Sequence, residues 1–122
     1  MKSIIKISIL STLMLVGMSI HAAAQADQMV GGYSNASIRD KEIKHAAAVA
    51  IREHAKREHH AVTLVKINKA EQQVVSGMNY RICMDVRRGR HGRVHSVTVV
   101  VYEPIRKPMR LTNWQEGGCT EL

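Results

Sequence analysis

The chain has 122 residues, of which 45% are hydrophobic and 23% charged, with a formal charge of +8 when histidine is neutral. This ordinary globular mixture excludes wholesale disorder, and length and pattern exclude a multidomain enzyme, a coiled-coil rod and a multi-span membrane protein. Only four residues are aromatic (Tyr33, Tyr80, Tyr102 and Trp114) and phenylalanine is absent, so the core must be built mainly from Val, Ile, Leu, Met and Ala.

Residues 1–26 read as an export signal. Lys2 and Lys6 form a positive end, Ile7 to Ile20 an apolar run, and Ala22 to Ala26 a small-residue zone. Both Ala22-Ala23-Ala24 and Ala24-Gln25-Ala26 fit a small-x-small cleavage pattern, and cleavage after Ala26 leaves a polar terminus at Asp27-Gln28. The alternative is an uncleaved anchor, for which the apolar run is short against the ~20 residues a spanning helix needs. The expected organisation is a signal at 1–26 and one small domain at 27–122, secreted or periplasmic, with no membrane attachment after cleavage. Removing Lys2 and Lys6 lowers the +8 of the full chain to +6, still a basic domain. Cys83 and Cys119 would then meet an oxidising compartment, and a disulfide between them is expected, two separate thiols being the alternative. Such a bridge is worth ~3–4 kcal/mol in the chain-entropy model.

In chain order, Gln28 to Asn35 has two glycines and no helical periodicity, and is expected to be an extended, mobile arm. Ser37 with Asp40 three residues on has capping-box spacing, so a helix is expected to begin there. Ile43, Ala47, Ala50 and Ile51 recur on one face, while Lys44, Arg52, Glu53, Lys56 and Arg57 occupy the others. This predicts an amphipathic helix of about five turns. Lys56 and Arg57 suit its negative end, and His59-His60 mark its exit. Its alanine-rich face permits close approach of a sheet.

Four strands follow, at Val62 to Val75, Met78 to Val86, Val94 to Tyr102 and Arg110 to Trp114. In the second of these, Met78, Tyr80, Ile82, Met84 and Val86 share one face, and Asn79, Arg81, Cys83, Asp85 and Arg87 the other. Cys83 thereby points away from the core, and its disulfide would hold the C-terminal tail against the outside of the sheet. Ser76-Gly77, Gly89 to Gly92 and Pro104 to Pro108 are the connections. In an antiparallel meander the first and third share one end, and the Arg-rich turn lies at the other. The expected fold is α+β, a four- to five-stranded antiparallel sheet wrapped around one long helix.

Gln73-Val74-Val75-Ser76-Gly77 resembles the Gln-x-Val-x-Gly signature of the cystatin family of cysteine-protease inhibitors. Val30-Gly31-Gly32 sits where that family has its glycine-marked N-terminal trunk, and Asn35-Ala36-Ser37 is similar to the run entering the helix in secreted animal cystatins. Ala50 to His54 and Leu64-Val65-Lys66 through Gln73 are similar to the helix and second strand of plant cystatins. Arg106-Lys107-Pro108 and Leu111 through Gln115 resemble the last hairpin and strand of stefins. The resemblance implies a reversible, competitive, tight-binding inhibitor of papain-like cysteine proteases, not an enzyme. A trunk and two hairpins form a wedge across the active-site cleft. The protease-binding residues it implies are Val30, Gly31, Gln73, Val74, Val75, Ser76, Gly77, Pro104 and Ile105, with no catalytic residue, cofactor or metal. On this reading Gly77→Arg blocks the hairpin tip, abolishing inhibition with far-UV circular dichroism unchanged. A monomer is expected, with domain swapping through the first hairpin open to the family.

Two departures stand out. Many cystatins carry Pro-Trp where this chain has Pro104-Ile105, a loss expected to weaken binding by ~1–3 kcal/mol. Arg57-Glu58-His59-His60 does not reproduce the Ser-Asn-Asp motif that some cystatins use against legumain, so that activity is not expected.

Competing readings are weaker. His45, His54, His59 and His60 show no fixed ligand spacing, and His54 is expected to be a packing residue. Arg87 to Arg93 compresses positive charge into one turn without neighbouring aromatics, so nucleic acid is not an expected partner and a solvated hairpin tip is. The second functional reading is a non-inhibitory module of the same fold that attaches to acidic surfaces through that turn. No Gly-rich phosphate loop, paired-carboxylate arrangement or nucleophile motif supports an enzyme.

Overall fold

The computed structural model describes residues 31–119, so the export signal and Val30 lie outside the described residues. The elements are β1 (Ser34–Ala36), α1 (Lys41–Glu58), β2 (Val62–Val75), β3 (Gly77–Arg88), β4 (His95–Glu103) and β5 (Arg110–Glu116). The strands form one antiparallel sheet in the order β1-β2-β3-β4-β5, a meander of five strands with α1 on one face.

The N-terminal arm is less free than its composition suggests. Ser34, Asn35 and Ala36 pair with Gln72, Glu71 and Ala70, which makes the end of the arm a short edge strand. The helix also starts later than the capping-box spacing predicts. The Ser37 hydroxyl accepts the Arg39 N–H at 3.2 Å, and its carbonyl accepts the Asp40 N–H at 3.1 Å. Ser37 is thus consumed by a turn, a competing local bond that serine makes readily. Asp40 becomes the N-cap position, with extended backbone and no side-chain cap bond.

Ile43, Ala46, Ala47, Val49 and Ala50 are the buried face of α1. Val49 takes a core place and Ile51 only packs against the core's edge, a small rotation of the stripe predicted from spacing. Three alanines bring the helix axis close to the sheet, where Ile82, Met84, Val86, Val97, Val99 and Val101 are fully buried. Each such aliphatic side chain contributes ~1.5–3 kcal/mol on burial. Tyr80 also enters the core, donating its hydroxyl to Glu103 Oε2 at 2.9 Å. Burial first, and then the Glu103 carboxylate, push its phenol up to about 12.

Curvature comes from irregularities. β2 slips register between Leu64 and Lys66 and again between Ile67 and Lys69. Each bulge adds twist and bend, and so a fourteen-residue strand wraps the helix instead of diverging from it. In β5 the shift opposite Val100 and Val101 falls beside Leu111. There α1 takes over both backbone groups: the Leu111 N–H donates to Glu53 Oε2 at 2.8 Å, and its carbonyl accepts Arg57 Nη2 at 3.2 Å. The helix therefore clamps β5 where the ladder is irregular.

Cys83 and Cys119 form a disulfide with a Cα–Cα distance of 5.3 Å, on the sheet face opposite the helix. Thr98 Oγ1 donates to the Gly117 carbonyl at 2.9 Å, and the Gly117 N–H donates to the Ser96 carbonyl at 2.8 Å. The tail thus lies across the outside of the sheet, and Cys83 is buried beneath it.

His54 packs as expected, stacked on Trp114 with ring centroids 3.7 Å apart and planes parallel within 1°. Burial, reinforced by His60 and Arg57 and partly opposed by Glu58 and Glu116, holds its pKa below the ordinary 6.5. The unfolded chain then binds the proton more readily than the folded one, so stability rises with pH. His54's contribution is complete above pH 6.5 and drains away as pH falls below that value toward the folded pKa. Urea midpoints, followed by the fluorescence of the single tryptophan, are expected to fall between about pH 7.5 and 5.5, and to fall less in His54→Phe. Equal falls in both proteins would refute the assignment.

Candidate functional site

The β2–β3 hairpin closes through one residue, Ser76, because Val75 pairs directly with Gly77. Gly77 has φ 103°, and a Cβ there would stand 2.2 Å from the Glu103 carbonyl oxygen and 3.2 Å from Pro104 Cα. Glycine is thus required twice, for the backbone angle and for the close approach. The approach seats the first hairpin against the start of the second, and the Tyr102 hydroxyl donates to the Ser76 carbonyl across the same gap. The β4–β5 connection is a turn in which the Lys107 N–H reaches the Pro104 carbonyl at 3.4 Å.

Gly31 completes the edge. A Cβ built on it would meet the Val74 carbonyl oxygen at 4.0 Å, so the chain entering β1 runs beside the first hairpin. Gly31, Val74 to Gly77 and Pro104-Ile105 come together at one end of the sheet, as the meander argument requires. Val74 and Ile105 are 60% and 66% exposed, large apolar side chains held in water by backbone geometry. Ser76 is exposed, and Val75 and Pro104 are half-buried.

Gln73 differs from the open-edge residue expected. Its Oε1 accepts Asn79 Nδ2 at 3.0 Å, so the side chain braces the two strands behind the tip. Tyr102 and Glu103, which seat the hairpins, escaped the sequence reading. Their only sequence signal is proximity to Pro104, and their role depends on the β3–β4 register.

Behind the edge, on the outer face, Arg81 Nε donates to Glu71 Oε2 at 2.7 Å and Lys69 Nζ lies 3.3 Å from Oε1. Burial raises the Glu71 pKa, but the bonds from Arg81 and Lys69 outweigh it and hold the carboxyl below its usual range. Arg81 also lies over the Tyr33 ring, with Cζ 3.9 Å from the centroid.

The Arg-rich turn is at the opposite end, tied to the helix exit. The Gly89 N–H donates to the Ala61 carbonyl at 2.8 Å, and Thr63 Oγ1 to the Gly89 carbonyl at 2.8 Å. A hollow of about 300 Å³ between the helix end and the sheet, lined by His54, Val62, Val86 and Trp114, is also at that end. Among the described residues, no three His, Cys, Asp or Glu side chains converge as a metal site. The edge presents apolar side chains and backbone, an arrangement suited to filling a groove by shape.

The chain is 33% identical over 97 residues to cysteine proteinase inhibitor 8 of Oryza sativa subsp. japonica, covering 74% of this chain and 78% of the relative. The chain belongs to the cystatin family. A second relative of this cystatin, L-cystatin of Tachypleus tridentatus, is 37% identical over 77 residues, which cover 60% of this chain and 52% of that one. This cystatin thus spans about half the length of the horseshoe-crab protein. A cystatin-like family model, described as "SQAPI: Aspartic acid proteinase inhibitor", matches residues 35–116. Among solved structures, Mialostatin, a gut cystatin from the hard tick Ixodes ricinus, superposes with a TM-score of 0.62 at 12% identity. That match covers 70% of this cystatin and 97% of the tick chain, and establishes a shared fold.

Proposed function

We propose that this cystatin is a reversible, competitive inhibitor of papain-like cysteine proteases, with the trunk and both hairpins entering the active-site cleft as one wedge. The observation that carries the reading is the convergence of Gly31, Val74 to Gly77 and Pro104-Ile105 on one edge, with Gly77 packed against Glu103. Val74 and Ile105 supply the apolar contact, and backbone around Gly77 fills the cleft without offering a bond to cleave. Gly31, Gln73, Val75, Ser76 and Pro104 complete the edge or brace it, and Val30, outside the described residues, is assigned to protease contact with the trunk. The rice relative, named as a cysteine proteinase inhibitor, supports this target class. The bridged cysteines support an exported protein, and the reading takes 1–26 as the removed signal and 27–122 as the inhibitor domain, a monomer open to domain swapping through the first hairpin.

The test is inhibition of papain by the wild type and by Val74→Asp and Ile105→Asp. Each substitution is expected to raise the inhibition constant by about tenfold to a hundredfold, since a charge must be desolvated in an apolar contact. Urea midpoints should stay put, because both side chains stand in water. Papain fully active in micromolar wild-type protein would overturn the reading.

The family description carries a second reading, inhibition of aspartic proteinases, because its match spans both hairpins. A pepsin-class enzyme assayed beside papain separates the two: inhibition of that enzyme alone favours the second, and inhibition of papain alone the first.

A further inference from the structure

Among the described residues, little in the backbone besides the approach of Gly31 to the Val74 carbonyl oxygen fixes the direction in which the chain leaves the sheet. Gly31 and Gly32 carry no side chains, and a Cβ built on Gly32 would meet no atom within 4 Å. β1 is three residues long and pairs on one side only, so it holds the chain weakly. Between the two glycines and this short strand stands Tyr33, whose ring lies under the Arg81 guanidinium. Arg81 is itself immobilised, because its Nε and Nη2 both donate to one oxygen of the nearly buried Glu71 carboxylate. Lys69 holds the other oxygen.

We propose that Tyr33, Arg81 and Glu71 are positioning residues for the start of the trunk: the guanidinium, locked by Glu71, pins the Tyr33 ring and so holds Gly31 alongside the Val74–Gly77 hairpin. This rests on the wedge reading for its consequence in inhibition and on the geometry alone for its consequence in the free protein. A stacked guanidinium is attracted by the ring face and has a plane to match it, which a lysine ammonium lacks. No hydrogen bond engages the Tyr33 hydroxyl among the described residues, so the ring face carries the contact.

Two readouts test this. In the free protein, amide hydrogen exchange at Ser34, Asn35 and Ala36 is expected to accelerate about fivefold in Arg81→Gln and in Tyr33→Ala, with β3–β4 amides unchanged. Tyr33→Phe should exchange like the wild type. Against papain, Tyr33→Ala is expected to raise the inhibition constant about fivefold, and Tyr33→Phe to leave it unaltered. In a background carrying Met29→Ala and Val30→Ala, which strips the trunk's apolar side chains, the Tyr33→Ala effect should shrink below about twofold. Exchange at Ser34 to Ala36 unmoved by Arg81→Gln, or a Tyr33→Ala effect as large without the trunk side chains as with them, would overturn the proposal. A wild type that fails to inhibit papain sinks the wedge reading, and the exchange measurement still decides the anchoring.

Discussion

Gly77→Ala is expected to destabilise the domain by ~3 kcal/mol or more and to weaken papain inhibition at least about a hundredfold. The added Cβ would sit 2.2 Å from the Glu103 carbonyl oxygen, at a φ of 103° that an alanine rarely adopts. Neither neighbour is the end of a flexible side chain, so relief requires the two hairpins to part. The wedge would then lose its alignment together with some of the fold. Urea unfolding and an inhibition assay on the same preparation check both halves. From the signature alone, Gly77→Arg looks like obstruction of a surface tip, invisible to far-UV circular dichroism. The contact with β4 adds a folding cost, and a fully stable Gly77→Ala protein would refute it.

Removing the disulfide is the second large perturbation. The bridged residues are 36 apart in sequence, and opening that loop in the unfolded chain costs ~3–4 kcal/mol of stability. A domain of this size has in total only about 5–15 kcal/mol. Cys83→Ala/Cys119→Ala is therefore expected to unfold at much lower urea, and dithiothreitol should shift the wild type in the same direction. Inhibition by the molecules that remain folded should stay within about threefold, since the bridge fastens the tail to mid-sheet, away from the hairpin edge. An unchanged urea midpoint would show that the bridge contributes nothing to stability.

A great deal of this architecture is legible in residue order because its causes are local or periodic. β2 spans Val62 to Val75 as the run of branched residues predicts, and the alternation in β3 correctly assigns Tyr80, Ile82, Met84 and Val86 to the core. The same parity puts Cys83 on the outer face with its partner tail. Where the reading slips, a short-range alternative competes. Ser37 has the spacing of a cap, but its hydroxyl closes a turn with Arg39. Val49 enters the core and Ile51 only flanks it, because spacing alone does not say how α1 is rotated against the sheet.

For the contact edge the division is sharper. Residue types and connection lengths by themselves determined a meander whose first and last hairpins share an end, and the signature at Gln73 to Gly77 marked one of them. Only the tertiary structure decided that these hairpins touch through Gly77 and Glu103, that Gln73 turns inward to Asn79, and that Arg81 reaches Tyr33. The reason is physical. Strand polarity and turn chemistry follow from neighbours in sequence, whereas a carbonyl 26 residues away becomes a neighbour only when bulges, twist and helix packing have set how closely the strands approach.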